Sequence, residues 1–290
     1  MPEHNLVQPV LRWYADAARD LPWRRPGTSP WAVLVSEVML QQTPVARVQP
    51  VWTEWMHRWP QPADLATAGP AAAIRAWGKL GYPRRALRLH AAAVVIAQHH
   101  AGAVPADVQT LLALPGIGEY TARAVAAFAF GRRVPVVDTN VRRVVARAVA
   151  GHADPGPPST RRDLTYVEAL LPSEDATAAR FSVALMELGA LVCTARSPAC
   201  GGCPIAERCA WQRAGRPAYD GPRRATQRFG GTDRQVRGLL LDVLRGSPDA
   251  VDRTALDVVW PDDGQRERSL ASLLADGLAA ERPDGSYALP

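Results

Sequence analysis

Apolar residues recur at helical spacing in Val7 to Ala18, Trp31 to Leu40, Val45 to Arg58, Ala71 to Trp77, Arg84 to His99, Thr121 to Phe130 and Val141 to Val149. A period of three to four residues places such side chains on one stripe of a helix, so each segment is expected to bury one face against its neighbours. Pro22, Pro44, Pro60, Pro83, Pro105 and Pro115 stand at or between these segments, where proline starts or stops helices. No alternating strand pattern competes before residue 230. The pattern predicts an all-α body of helices joined by short turns.

Gly215 to Asp233 breaks this pattern, being rich in Arg, Pro and Gly with few large apolar residues, and reads as part of a basic linker over 213–234. Beyond it Val236 to Leu244, Arg253 to Val259 and Arg266 to Ala280 read as helices. Pro283 to Leu289 reads as a turn-strand ending with Asp284-Gly285 at the turn. Residues 235–290 are therefore expected to form a small, separate, winged-helix-like module.

A hydrophobic content of 47% supplies ordinary packed cores and speaks against disorder. No stretch approaches the roughly 20 apolar residues of a membrane span, and Met1 to Asp20 is amphipathic with carboxylates, unlike a signal peptide. A cytoplasmic protein with no membrane partner is expected. The 34 basic and 28 acidic side chains leave a net charge of +6. That excess fits a polyanionic partner and is also common in proteins without one. Lys79 is the only lysine, so Schiff-base chemistry has only that amine and the N-terminus to draw on.

Chemistry concentrates in a few places. Cys193, Cys200, Cys203 and Cys209 lie within 17 residues at x6-x2-x5 spacing, in a chain with no sign of export, so a shared metal centre is expected in place of disulfides. The spacing by itself suits either zinc or a [4Fe–4S] cluster. Leu114-Pro115-Gly116-Ile117-Gly118 sits between helical segments, and reads either as an ordinary glycine-containing turn or as one that aims backbone N–H groups at a phosphate. Glu37 is a single carboxylate inside the apolar run Trp31 to Leu40. It either faces solvent or is buried, and burial would raise its pKa toward the range of a general acid.

The cysteine spacing resembles the cluster loop of the endonuclease III and MutY family of helix-hairpin-helix DNA glycosylases. Other segments carry the same resemblance: the glycine turn followed by Val137-Asp138-Thr139-Asn140, then Ser36 to Thr43, Leu21-Pro22-Trp23-Arg24, Leu80-Gly81-Tyr82 and Met186 to Ala190, together spanning about residues 7 to 212. The resemblance implies a two-lobed fold with an N-terminal helix over 1–22 packing on the cluster domain. A six-helix domain with the hairpin would cover 23–138, and the [4Fe–4S] domain 139–212, ligated by the four cysteines.

It also implies roles for single residues. Glu37 matches the glutamate that protonates adenine, and Asp138 the catalytic aspartate that stabilises the sugar cation. Tyr120 and Asn140 would hold the sugar and carboxylates. Bifunctional relatives carry a nucleophilic lysine where this chain has Tyr120, which implies base release without a strong strand-cleaving step. Gln42 and Tyr82 would enter the DNA stack where the base has left, a role that suits an amide and a planar ring. Leu114, Gly116 and Gly118 would meet a phosphate, and Trp23, Arg24 and Glu187 would line the adenine pocket.

The implied activity is hydrolysis of the glycosidic bond of adenine mispaired with 8-oxoguanine or guanine in duplex DNA, by a monomer at the nucleoid. One departure stands out. Longer members carry a nudix-like domain that reads 8-oxoguanine, and residues 235–290 are too few and too helical for it. A thymine-glycol glycosylase/lyase, a non-catalytic iron–sulfur DNA-binding protein and a zinc transcription factor are the competing classes. Tyr120 opposes the first, retention of Glu37 and Asp138 the second, and zinc would leave the protein colourless.

Overall fold

The structure, a computed structural model, describes residues 6–219, 221 and 229–290. Its helices are α1 (Val7–Ala17), α2 (Pro30–Met39), α3 (Val45–Arg58), α4 (Pro62–Trp77), α5 (Arg84–His99), α6 (Val108–Leu112) and α7 (Glu119–Phe130). They continue as α8 (Thr139–Ala148), α9 (Thr160–Glu168), α10 (Asp175–Leu191), α11 (Ala210–Arg213), α12 (Asp233–Gly246), α13 (Arg253–Asp257) and α14 (Asp263–Ala275). Among the described residues the only sheet is an antiparallel pair, β1 (Ala280–Glu281) and β2 (Tyr287–Ala288). No helix among them is long and apolar enough to cross a membrane.

The chain divides into two compact units. The first comprises the described residues within 1–34, 106–112 and 117–223. Its central helix is α10, which packs against α1, α7 and α8. Leu6, Val10, Val141, Val144, Phe181, Leu185 and Leu188 share one core there. Sequence periodicity did not reveal α10, and the burial pattern explains why. Phe181, Ser182, Ala184, Leu185, Glu187, Leu188 and Gly189 are all buried, so the helix is enclosed on most sides and has no single apolar stripe.

The second unit comprises the described residues within 35–105, 113–116 and 224–290. Trp55 meets Trp59 and Trp77 edge-on, with ring centroids 4.9 and 5.7 Å away, and its indole N–H donates to the Ala76 carbonyl. The segment expected to be helical only over Ala71 to Trp77 begins at Pro62. Gly69, at φ 82° and ψ 166° ahead of Pro70, kinks α4 and hides its first half from a periodicity reading.

The end of the chain has the order α12, bridge strand, α13, α14, β1, β2, which is that of a winged helix, the bridge pairing Val251 with Tyr287. Its core of Val236, Leu240, Leu244, Leu256, Leu270, Leu273 and Tyr287 is continuous with Ile74 of α4. The helix expected over Arg266 to Ala280 stops at Ala275. Gly277 at φ 67° closes its last turn, and Ala280 opens β1 instead. Residues 220 and 222–228 of the expected basic linker lie outside the described residues.

One close approach in the first unit bears directly on the site. A Cβ on Gly189 of α10 would lie 2.7 Å from the Asn140 Cβ and 2.8 Å from its carbonyl oxygen on α8. Both neighbours are anchored, so relief requires the helices to separate. Gly189→Ala should therefore lower stability by about 2 kcal/mol, read as a lower urea midpoint at unchanged slope.

Candidate functional site

Asp138 stands at the head of α8 as its N-cap, with Oδ1 accepting from the Val141 N–H at 2.7 Å and Oδ2 accepting from Asn140 Nδ2 at 2.7 Å. Burial pushes its carboxyl up from the ordinary aspartate value, while these two donors and the charge of Arg143 pull against that rise. Asn140 is held in turn, its Oδ1 accepting from Arg143 Nη2 at 2.7 Å. Arg143 also donates to the Gly189 carbonyl at 2.7 Å and, through Nε, to the Cys193 carbonyl at 2.6 Å. A continuous hydrogen-bonded path thus runs from the first cysteine to the Asp138 carboxylate.

Glu187, fully enclosed on α10, accepts from the Arg19 backbone N–H at 3.1 Å, from Arg19 Nε and Nη2 at 2.6 Å each, and from Arg24 Nη1 at 2.8 Å. Burial alone would push it up, but the Arg19 hydrogen bonds and the Arg24 charge hold it down to about 2. Glu187 is thereby a fixed acceptor and no source of protons. Trp23 is buried beside Arg24 in a short 3₁₀ turn, and Tyr120 lies half-buried in the first turn of α7, against Val136 and Ala124.

The four cysteines line one cavity with Val144, Ala148, Ile205 and Trp211, at the end of the loop that follows α10. Among the described residues no three His, Cys, Asp or Glu side chains converge tightly enough for a single ion. Four thiols around a common space could hold a metal centre, for which spacing left zinc and a [4Fe–4S] cluster open. Burial pushes the Cys203 thiol up to about 11, and the neighbouring thiols add to it. Cationic iron is what would hold thiolates there. Arg147 contributes positive charge, with Nη1 3.4 Å from the Cys193 sulfur and its guanidinium stacked 4.9 Å over Trp211.

In the second unit Glu37 is 5% exposed on α2, between the buried Ser36 and Val38, so the solvent-facing reading does not apply. Gln42, after α2, and Tyr82, after α4, are exposed and share a rare feature: both are non-glycine residues at positive φ, 55° and 47°. Arg85 lies beneath both turns. The only lysine, Lys79, is exposed and paired with Asp242 at 3.4 Å. In the turn from Leu114 to Gly118 the side chains of Leu114 and Ile117 are buried, and Gly116 and Gly118 are exposed. Gly116, at φ 75°, has the Arg88 side chain 2.5 Å from where a Cβ would stand.

Residues 35–169 match the model of the HhH-GPD superfamily of base excision DNA repair proteins, and residues 193–209 match the iron–sulfur binding domain of endonuclease III. The chain is 60% identical over 290 residues to the adenine DNA glycosylase of Mycobacterium tuberculosis, covering all of this chain and 95% of that one. It is 63% identical over 286 residues to that of Mycolicibacterium smegmatis, covering 98% and 96%. The chain belongs to the adenine DNA glycosylase family. The solved structure of a thermostable thymine-DNA glycosylase superposes with a TM-score of 0.65 at 26% identity, over 72% of this chain and 95% of that one.

Adenine DNA glycosylases are hydrolases of N-glycosyl bonds, and the cofactor of this one is a [4Fe–4S] cluster, which the four cysteines can hold. Sequence reasoning missed Arg19, Arg85, Arg143 and Arg147 of this glycosylase, because an arginine among 34 basic residues carries no local signal. Only the carbonyls and carboxylates they reach reveal them.

A pH profile tests the Asp138 arrangement. As pH falls through its raised pKa the carboxylate takes up a proton, so the acidic limb of single-turnover excision should lie above about pH 4, the ordinary aspartate value. Asn140→Ala deletes a group that lowers this pKa, and should move the limb to higher pH. An unmoved limb, or one moved down, would show that Asn140 does not hold Asp138.

Proposed function

We propose that this adenine DNA glycosylase removes adenine mispaired with 8-oxoguanine or guanine from double-stranded DNA, and that it is monofunctional. The observation that carries the reading is Asp138. A carboxylate with both oxygens occupied by donors offers fixed negative charge in place of a proton, which is what an oxocarbenium-like sugar requires.

Glu37, buried in the apolar run of α2, protonates the base, because a neutral purine leaves far more readily than its anion. Trp23, Arg24 and Glu187, the last fixed by Arg19 and Arg24, line the pocket for the extruded adenine. Tyr120 and Asn140 hold the sugar and the Asp138 carboxylate. Gln42 and Tyr82 fill the space that the base leaves, where flipping costs a few kcal/mol. The hairpin backbone at Gly116 and Gly118 takes a phosphate. Cys193, Cys200, Cys203 and Cys209 ligate the cluster, which supplies a fold constraint on the loop joined to Asp138 through Arg143. The enzyme works as a monomer in the cytoplasm, at the nucleoid.

With Tyr120 in the hairpin and Lys79 paired on a surface turn, no amine is assigned to a lyase step. Incubation with duplexes bearing adenine opposite 8-oxoguanine, guanine or cytosine should give strand breaks only after alkali. Glu37→Gln should lower single-turnover excision at least about 100-fold, the scale of a general acid, with duplex affinity retained. Near-normal excision by Glu37→Gln would remove the acid assignment, and release of thymine glycol but not adenine would remove the substrate.

A further inference from the structure

Arg85 is buried, and its two Nη groups donate to two turns that the proposed chemistry does not connect. Its Nη1 donates to the carbonyls of Val38 at 2.9 Å, Met39 at 3.0 Å and Gln41 at 2.6 Å, capping the C-terminal end of α2, the helix that carries Glu37. Its Nη2 donates to Thr43 Oγ1 and to the Gly81 carbonyl, both at 3.0 Å. Other bonds join the same turns. Thr43 Oγ1 lies 3.2 Å from the Leu80 carbonyl, Arg47 donates to the Lys79 carbonyl, and the Trp77 indole donates to the Gly81 carbonyl at 3.0 Å.

These turns present Gln42 and Tyr82, the two exposed residues at positive φ already described. Backbone strain of this kind persists only where the surroundings over-determine it. Here Arg85 holds the Gln41 carbonyl and the Thr43 hydroxyl on either side of Gln42, and the Gly81 carbonyl just before Tyr82. Its guanidinium also lies 5.6 Å from the Tyr82 ring centroid and 5.0 Å from that of Trp77.

We propose that Arg85 is a positioning residue that joins the α2–α3 and α4–α5 turns into one rigid tip, so that Gln42 and Tyr82 enter the duplex as a unit. The proposal rests on the reading of those two side chains as the plug. Groups that act as a unit are non-additive: removing either costs nearly as much as removing both.

The test is a mutant cycle with the full chain on a duplex carrying 2-aminopurine next to the target adenine, scored by the fluorescence rise on unstacking and by single-turnover excision. Gln42→Ala and Tyr82→Ala should each lower unstacking, and the double variant should be roughly tenfold less impaired than the product of the singles. In an Arg85→Met background the two effects should multiply, and Arg85→Lys, which keeps the charge without the fork, should not restore coupling. Thr43→Val loosens the same joint by one hydroxyl and carries the test if Arg85→Met does not fold. Coupling that is unchanged in these backgrounds overturns the role of Arg85. No effect of either alanine on unstacking overturns the plug reading itself.

Residues 233–290 meet the Tyr82 turn independently. Their core is continuous with Ile74 and packs Ala71 and Leu87 of the α4–α5 pair. Arg75 donates to the Arg245 and Ser247 carbonyls, Arg245 donates to the Ile74 carbonyl, and Arg84 of α5 pairs with Asp276 at 3.2 Å. In the first turn of α12 the Arg234 guanidinium lies 5.7 Å from the Tyr82 ring centroid. The module itself is acidic, with seven arginines against eleven carboxylates and no lysine. That composition is ill suited to neutralising phosphates.

We infer that the module braces the Tyr82 turn, with Arg234 a positioning residue acting on the ring. Arg234→Ala in the full chain should lower 2-aminopurine unstacking about threefold, the size of an exposed cation–π contact, and should have no effect in a Tyr82→Ala background. The salt dependence of duplex affinity should stay the same. A slope reduced by about 0.9, the value of one phosphate contact, with unstacking unchanged, would instead make Arg234 a phosphate ligand and overturn the brace.

Discussion

A guanidinium carries five N–H donors in a rigid plane, and once it leaves water each needs an acceptor. In this chain Arg85, Arg143 and Arg147 meet most of that need with backbone carbonyls, at the ends of helices and in the loops between them. Carbonyls are fixed to the main chain, so an arginine that binds several fixes the distance between the segments that carry them. Arg143 fixes α8 against α10 and the first cysteine. Arg85 fixes the turn after α2 against the turn after α4. Both the cysteine loop and the turns after α2 and α4 are irregular backbone, with few ladder bonds of their own, and they depend on these arginines for definition.

The carboxylates illustrate how environment divides one chemistry into several tasks. Glu187, with four donors, is locked in the ionised form and can only accept. Asp138 is pushed up by burial and pulled back by Asn140, Val141 and Arg143, a balance that keeps it sensitive to small changes in its neighbours. Glu37 sits buried in an apolar stretch of helix. The thiols gathered after α10 would be costly to ionise together without a metal core, so the cluster and the fold of its loop are mutually dependent.

The module at the C-terminal end has the helix and strand order of a winged helix but an acidic composition. Its firmest contacts are with α4 and α5, through a shared core and reciprocal arginine-to-carbonyl bonds. Fold order by itself therefore says little about use here. What the module touches is more informative, and it touches the helices that flank Tyr82.

Sequence alone determined the helical body and the grouping of the four cysteines, because each is written in local spacing; the glycine turn and Glu37 stayed open on spacing, and Asp138 was singled out only by family resemblance. Sequence revealed neither α10 nor the first half of α4. The first is enclosed on most sides and shows no stripe, and the second is interrupted by Gly69 and Pro70. It also gave no hint that Arg19 reaches Glu187 across 168 residues, or that Arg85 reaches Thr43 across 42 and so joins two turns. Periodicity records which face of an element leaves water; it does not record which acceptor a long, flexible cation finds once the elements have packed, and only the tertiary structure decides that.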